Sequence, residues 1–385
     1  MDGDGQFPKG RLTARAMTNG LLPEGLRDRL PPEAEAAASI LRAVLDCVAA
    51  HGYGRVAPPL AEFEEELAGR LKSARTKDLL RFVDPVSQRT LALRPDITAQ
   101  IGRIATTRMA NDARPLRLCY GGPVLKLKAT QLRPERELTQ AGAELVGSES
   151  VAAALEIIGI AIEALKTAGV QAITLDLTLP NLVDALAAGP WPLDPARLDA
   201  VKAALDAKDA GALSAAGGVA YLPLIRAAGP IDSALAQLRA LKLGSVLEER
   251  LASLEAIAAA LGDTVRITLD PTERHGFEYQ SWIGFSLFGE GLVGEAGRGG
   301  SYTILHSDGR EEPAIGFSLF LDPLVDAGLM HASSKRVFVP LDAPREAGAK
   351  LRHEGWVTVA AICPKCDAAA LGCTHRLKDG VPVAL

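Results

Sequence analysis

Apolar residues recur at helical spacing through PEAEAAASILRAVLDCVAAHGYG, which predicts a long Ala-rich helix that stops at the pair Gly52 and Gly54. RVAPPLAEF then reads as a strand ended by Pro58 and Pro59. The pattern of RFVDPVSQRTLALRPDITAQIGRIA predicts a hairpin, turning at Pro-Val-Ser, that leads into a helix. Residues 115–147 supply two more strands around the loop KATQLRPERE, and residues 148–169 another Ala-rich helix. Between about 185 and 263 the chain becomes Ala- and Leu-rich with short helical stretches and frequent glycine breaks, as in DAGALSAAGGVAYL, and reads as an inserted helical subdomain. Strand patterning returns at VRITLD and GFEYQSWIGFSLF, passes a Gly-rich turn in GEAGRGGSYTIL and ends in AIGFSLFLDPL. Beyond residue 335, KRVFVPLDAPREAGAKLRHEGWVTVAA reads strand, helix, strand, a small α/β unit over residues 336–385. Residues 1–20 are polar and Gly-rich and are expected to be a mobile leader.

This order predicts an α+β fold over residues 21–330: one antiparallel or mixed sheet flanked by helices and interrupted by the helical insertion. Neither a G-x-x-x-x-G-K-[ST] run nor a strand–G-x-G-x-x-G–helix unit is present, which argues against a P-loop or doubly wound nucleotide enzyme. With 385 residues, 48% of them hydrophobic and 23% charged, the chain can bury a substantial core. A formal charge of −5 argues against broad nucleic-acid affinity, because binding phosphate backbones needs concentrated Lys and Arg. No apolar run reaches the roughly 18 to 20 residues that span a bilayer, and the start MDGDGQFPKGR lacks the apolar stretch of a signal peptide, so a cytoplasmic location is expected. Five cysteines, with Cys47 and Cys119 read as small buried thiols, argue against a disulfide framework.

Three clusters carry candidate chemistry. In TQAGAELVG, strand alternation puts Gln140, Gly142 and Glu144 on one face and Ala141, Ala143 and Leu145 on the other. That polar face is either solvated or, with the glycine leaving a gap between amide and carboxylate, a place for a cationic or hydrogen-bond-donating ligand. In LALRPDITAQ, Arg94, Asp96 and Thr98 alternate on one side of an extended segment. Arg94 with Asp96 reads as a structural ion pair, or Asp96 and Thr98 read as a carboxylate and hydroxyl for an α-ammonium group. Near the end of the chain, Cys363, Cys366, Cys373 and His375 have the composition of a zinc site with a C-x-x-C knuckle. The short gap between Cys373 and His375 is unusual for one, and reduced thiols are the default reading.

Taken in order, GYGRVAPPLAEF, RFVDPVSQRTLALRPDITA, YGGPVLKLKATQLRPERELTQAGAELVG, RHGFEYQSWIGF, GRGGSYTIL and AIGFSLFLDPL resemble the succession of blocks in the catalytic domain of class II histidyl-tRNA synthetases, over roughly residues 22–328. The resemblance implies that Asp96, Thr98, Gln140 and Glu144 stand where the family binds the histidine ammonium and imidazole, with Tyr279 lining the pocket. It also exposes shared departures. Lys126 and Lys128 replace the Arg and Glu of the second class II motif, Pro323 replaces the Arg that clamps ATP, and His275 takes the slot of an Arg that contacts the α-phosphate. Adenylation needs fixed cations around the transferring phosphates, and proline cannot supply one.

About fifty residues follow the core, too few for the family's anticodon-binding domain. Lost ATP contacts with a retained histidine pocket resemble the regulatory subunits of ATP phosphoribosyltransferase, which are synthetase paralogues. That resemblance implies a non-catalytic protein without cofactor, partnered by the short-form catalytic subunit, with L-histidine as feedback effector of the first step of histidine biosynthesis. It further implies a homodimer, formed through residues near 36–65, inside a hetero-oligomer that has no tRNA or membrane partner. The competing reading is a divergent histidine-activating ligase in which Lys126 stands in for the missing Arg.

Overall fold

A computed structural model describes residues 21–68, 71, 79–128, 135–274, 280–330 and 335–385; the leader expected at residues 1–20 lies outside them. After Met330 the chain divides into two compact units.

In the first unit, the 3.6-residue pattern forms α1 (Glu33–Ala50), with Glu33 and Glu35 in its first turn, where carboxylates oppose the helix dipole. The segment after it does not make one strand. It splits into β1 (Gly54–Arg55) and β2 (Ala61–Phe63), because Pro58 and Pro59 between them offer no backbone donors. Next come α2 (Glu64–Ala68), the hairpin strands β3 (Leu80–Val83) and β4 (Thr90–Leu93), and α3 (Thr98–Thr107). The long strands β5 (Leu116–Leu125) and β6 (Glu137–Val146) lead to α4 (Val151–Thr167), which is capped by Ser150 Oγ accepting from the Ala153 amide at 3.2 Å.

Then follows β7 (Thr174–Thr178), which the sequence reading did not foresee. The insertion folds as α5 to α10 (Leu182–Ala187, Pro195–Asp206, Ala210–Ala215, Leu222–Arg226, Ile231–Ala240 and Ser245–Leu261). It also contributes a two-residue strand, β8 (Gly229–Pro230). The unit closes with β9 (Arg266–Asp270), β10 (Gln280–Phe288), β11 (Gly297–Leu305), β12 (Glu311–Phe320) and the short α11 (Asp322–Asp326).

Among the described residues, nine strands form one sheet in the order β1-β5-β6-β12-β11-β10-β7-β9-β8, antiparallel through its centre and parallel only at β1·β5 and β7·β9. Strands β2, β4 and β3 make a separate three-stranded sheet.

The large sheet has two different faces. One carries Cys119, Ala141, Ala143, Leu145, Ile315, Phe317, Leu319 and Phe285 into a core shared with α1, α4 and the insertion. Helix α4 is apolar around most of its circumference because it lies against α1, α10 and the sheet together. The opposite face is apolar toward its ends: Leu116, Leu118, Val146, Ile304 and Ala314 meet Ile97, Ile101 and Ala105 of the α3 region, and Val124 and Leu138 are buried farther along β5 and β6. Between them the positions are mostly polar or glycine.

The second unit is a four-stranded sheet, β14-β13-β15-β16, from β13 (Arg336–Val339), β14 (Val357–Ala360), β15 (His375–Lys378) and β16 (Val381–Ala384), with α12 (Arg345–His353) between β13 and β14. No described helix is long and apolar enough to cross a membrane.

Ile157 is fully buried on α4 within the large core. Ile157→Ala removes about three methylene equivalents from a close-packed site, and denaturant titration is expected to show a loss of about 2–5 kcal/mol.

Candidate functional site

Strand register assembles the site on the polar half of the second face. Glu144 on β6 stands opposite Gly316 on β12, which stands opposite Gly300 on β11, which stands opposite Gly284 on β10. Three glycines in a row across three strands leave a trough, and side chains from both ends lie over it. A Cβ on Gly316 would fall 1.6 Å from Glu144 Oε2, and a Cβ on Gly284 would fall 2.0 Å from Gln280 Oε1. Real Cβ contacts are never so short, so these positions are glycine because two neighbouring side chains occupy the space. The cleft above them encloses about 210 Å³, solvent at its mouth included, and is lined by Thr98, Glu144, Gln280, Arg298, Tyr302 and Ser318.

Glu144 is the centre of the polar network. Its Oε1 accepts from Thr98 Oγ1 at 2.9 Å and from Tyr120 Oη at 3.0 Å, and its Oε2 accepts from Tyr302 Oη at 2.8 Å. All four side chains are buried. Burial pushes the Glu144 carboxyl up to about 8; the three hydroxyl donors pull against that rise, and the Asp96 carboxylate adds to it. Desolvation wins because no cation lies among the groups that hydrogen-bond it. The cleft thus holds a carboxyl poised near neutrality, able to accept a hydrogen bond or, when protonated, to donate one. Burial also raises the Tyr120 hydroxyl well above its ordinary range, so it stays a donor.

Gln140 plays a different part from the one its strand face implies. It is fully buried; its Nε2 donates to Asp96 Oδ2 at 2.9 Å and to Ser318 Oγ at 2.5 Å, and its Oε1 accepts from the Ile97 amide at 3.0 Å. Both amide protons are committed, and the residue is not on the cleft wall. Asp96 is tied down in turn, with Oδ1 accepting from the Thr98 amide at 2.7 Å at the start of α3. Gln140 and Asp96 therefore position the loop that delivers Thr98, while Thr98 and Glu144 line the cleft itself.

The gap expected at Gly142 is not available to a ligand. A Cβ there would lie 2.6 Å from Tyr120 Oη and 2.2 Å from the Phe317 carbonyl, so the neighbouring strands fill it, and the cleft is lined by Gly300 and Gly316 instead. Arg94 directs its guanidinium to the carbonyls of Pro123 (2.8 Å) and Pro58 (2.9 Å) and to Gln100 Oε1 (3.3 Å), not to Asp96 as an ion pair. His275 and Tyr279, expected at the pocket from the resemblance, lie outside the described residues. Tyr120, Tyr302, Ser318, Gln280 and Arg298 were missed. Period-two alternation within β11 and β12 marks Arg298, Gly300, Tyr302 and Gly316, Ser318 as sharing faces, but only the register joins them to Glu144.

The positions of the expected phosphate contacts serve other ends. Lys128 is exposed three residues beyond β5, and Lys126 Nζ sits 5.7 Å from the centre of the Phe320 ring. Pro323 lies in the first turn of α11, where its missing amide proton costs nothing. Beside it, Asp322 accepts from Arg29 at 2.5 Å and from the Thr139 amide at 2.7 Å, so the carboxylate fastens the N-terminal segment to β6. Arg274 is 3.4 Å from Asp206.

At the C-terminal cysteines the structure departs from the expectation of reduced thiols: Cys363 and Cys366 are joined as a disulfide, their Cα atoms 5.5 Å apart, a separation that C-x-x-C spacing allows. Cys373 packs with Phe338 and Ala368, and His375 Nδ1 is 2.9 Å from Thr374 Oγ1.

The family model described as histidyl-tRNA synthetase matches residues 25–324. The chain is 43% identical over 372 residues to the ATP phosphoribosyltransferase regulatory subunit of Paramagnetospirillum magneticum, covering 94% of this chain and 97% of that protein. It is 40% identical over 384 residues to the protein of the same name from Rhodospirillum rubrum, covering 97% and 100%. In fold it matches the Bacillus halodurans crystal structure titled as an ATP phosphoribosyltransferase regulatory subunit/histidyl-tRNA synthetase with a TM-score of 0.78, at 24% identity and covering 92% of this chain and 96% of that one. It matches histidyl-tRNA synthetase from Nostoc sp. PCC 7120 with a TM-score of 0.74, at 16% identity and covering 94% and 92%.

The raised Glu144 carboxyl fixes a pH dependence. Its folded value of about 8 lies above the unfolded 4.5, so the folded state holds the extra proton. Its contribution is fully present below 4.5 and is lost as pH rises through 8. Stability is expected to fall with pH in that window, by up to about 1.4 kcal/mol per unit from this group. Subtracting the pH profile of Glu144→Gln, measured by denaturant titration, should isolate that slope; identical profiles would contradict it.

Proposed function

The chain belongs to the family of ATP phosphoribosyltransferase regulatory subunits, a branch of the histidyl-tRNA synthetase-like proteins, and from that membership we propose that it binds free L-histidine in the cleft beside Glu144 and reports its occupancy to the catalytic subunit. It is a regulatory, non-catalytic subunit in histidine biosynthesis. Its partner in this reading is a short-form ATP phosphoribosyltransferase catalytic subunit in the cytoplasm, and the feedback effector is histidine.

One observation carries the assignment. A buried carboxyl, held by three hydroxyls at the end of a glycine trough, survives in a chain whose phosphate-contact positions have become Lys126, Lys128 and Pro323. Glu144 and Thr98 supply acceptor groups for an imidazole N–H or an ammonium. Ser318 and Tyr302 line the cleft beside them. Histidine bound here inhibits only if it favours the less active arrangement of the complex, which makes feedback a coupling free energy between this cleft and the catalytic sites. Residues near 36–65, carrying α1 and β1, form the homodimer surface in this reading.

Isothermal titration calorimetry with histidine and, separately, with ATP·Mg²⁺ tests the proposal. Histidine is expected to bind and ATP not to; tight ATP binding would favour the histidine-activating ligase instead. Glu144→Ala is expected to weaken histidine binding by about 1–3 kcal/mol through loss of a charge-assisted hydrogen bond, and unchanged affinity would sink the assignment. In the reconstituted complex, the same variant should lose inhibition by histidine while still supporting catalysis.

A further inference from the structure

On the helix-covered side of the first unit, away from the cleft, three side chains of different donor type converge. Cys47 on α1 and His51, which caps that helix, are four residues apart and so share a helix face. Glu163 projects toward them from α4. A sulfur, a ring nitrogen and a carboxylate oxygen from these residues all lie within 4.8 Å of one another, and His51 Nε2 is 3.1 Å from Glu163 Oε2. Among the described residues this is the cluster of at least three His, Cys, Asp or Glu groups whose donor atoms lie close enough together to share a metal ion.

We propose that Cys47, His51 and Glu163 form a binding site for one divalent transition-metal cation, zinc by preference, that clamps the end of α1 to α4.

Tetrahedral zinc with bonds of about 2.0 to 2.3 Å sets its donors roughly 3.4–3.6 Å apart. The three donor atoms, all within 4.8 Å of one another, lie near that arrangement. The donor set of one thiolate, one imidazole and one carboxylate suits zinc or cobalt and not magnesium or calcium, which take oxygen ligands. Burial pushes the Cys47 thiol up, and a bound dication reverses that by holding the thiolate.

The backbone behind the site is fixed: Val44 and Val48 on α1 and Ala164 and Leu165 on α4 are buried in the large core, so the three side chains stand on packed helices. The competing carboxylate one face-repeat earlier on α4, Glu156, is taken by Arg117 at 2.7 and 2.9 Å and by Tyr53 at 2.8 Å. His51 and Glu163 are exposed, so the fourth coordination position opens to water.

Anaerobic titration of the full-length chain with Co²⁺ in a phosphine reductant tests this directly. The expected signature is a sulfur-to-cobalt charge-transfer band that is lost in Cys47→Ser but kept in the double variant Cys363→Ser/Cys366→Ser. His51→Gln and Glu163→Gln should each weaken the cobalt affinity at least about tenfold. Zn²⁺ should raise the thermal midpoint of the parent and of the double variant but not of Cys47→Ser, since a ligand stabilises only the state that binds it. A band that follows the C-terminal cysteines, a band indifferent to His51→Gln and Glu163→Gln, or no band at all would each overturn the site.

Discussion

The site depends on one spatial constraint: Glu144 can lie where it does only because Gly316 has no side chain. A carboxyl that is almost fully enclosed, with its oxygens spoken for by Thr98, Tyr120 and Tyr302, needs an adjacent strand that yields its side-chain volume. The neighbouring strands repeat that concession at Gly300 and Gly284, and the cleft is the result. The sheet therefore trades apolar packing for a polar trough on half of one face, while the other face, under α1 and α4, carries the core that holds the strands in register. Stability and site are divided between the two sides of the same strands.

Around that centre, the polar groups form a hierarchy. Thr98 and Glu144 reach the cleft; Gln140 and Asp96 stand behind them, with donors and acceptors matched to each other and to the Ile97 and Thr98 amides. A fully satisfied network of this kind is rigid, because any rotation leaves a buried polar atom without a partner. Beyond the cleft, Asp322, next to Pro323, joins Arg29 and the Thr139 amide, so its carboxylate is spent on fastening the protein's own N-terminal segment to β6.

Much of this was legible in the chain. The helical period of α1 and α4, the hairpin β3–β4 and the long strands β5 and β6 follow from local spacing, and the α+β fold follows from their order. Alternation correctly put Gln140, Gly142 and Glu144 on one face. It could not tell that Tyr120, from the next strand, fills the gap at Gly142, because register is set by pairing across strands and leaves no mark in either strand alone. The same limit hid Tyr302 and Ser318. Strand β7 was missed because TLDLT is only five residues long with a half-buried aspartate at its middle, and β15 and β16 because HRLK and VPVA lack the alternation of a longer strand. Cys47 and His51 are one helical turn apart, but Glu163 is more than a hundred residues away and meets them only when α1 packs on α4.

The two ends of the large sheet bear on how this subunit can be joined to others. Its outermost strands, β1 and β8, are two residues each, and β8 ends in Pro230, which has no amide to offer. Strands this short offer little backbone ladder of their own, and each interrupts the edge of the longer strand beneath it, which disfavours lengthening of the sheet by a strand from another polypeptide, whether a legitimate partner or a misfolded copy. Assembly into a larger complex is left to side chains on helices and loops, where recognition is set by shape and charge and can be loosened or tightened without unzipping the sheet that builds the cleft.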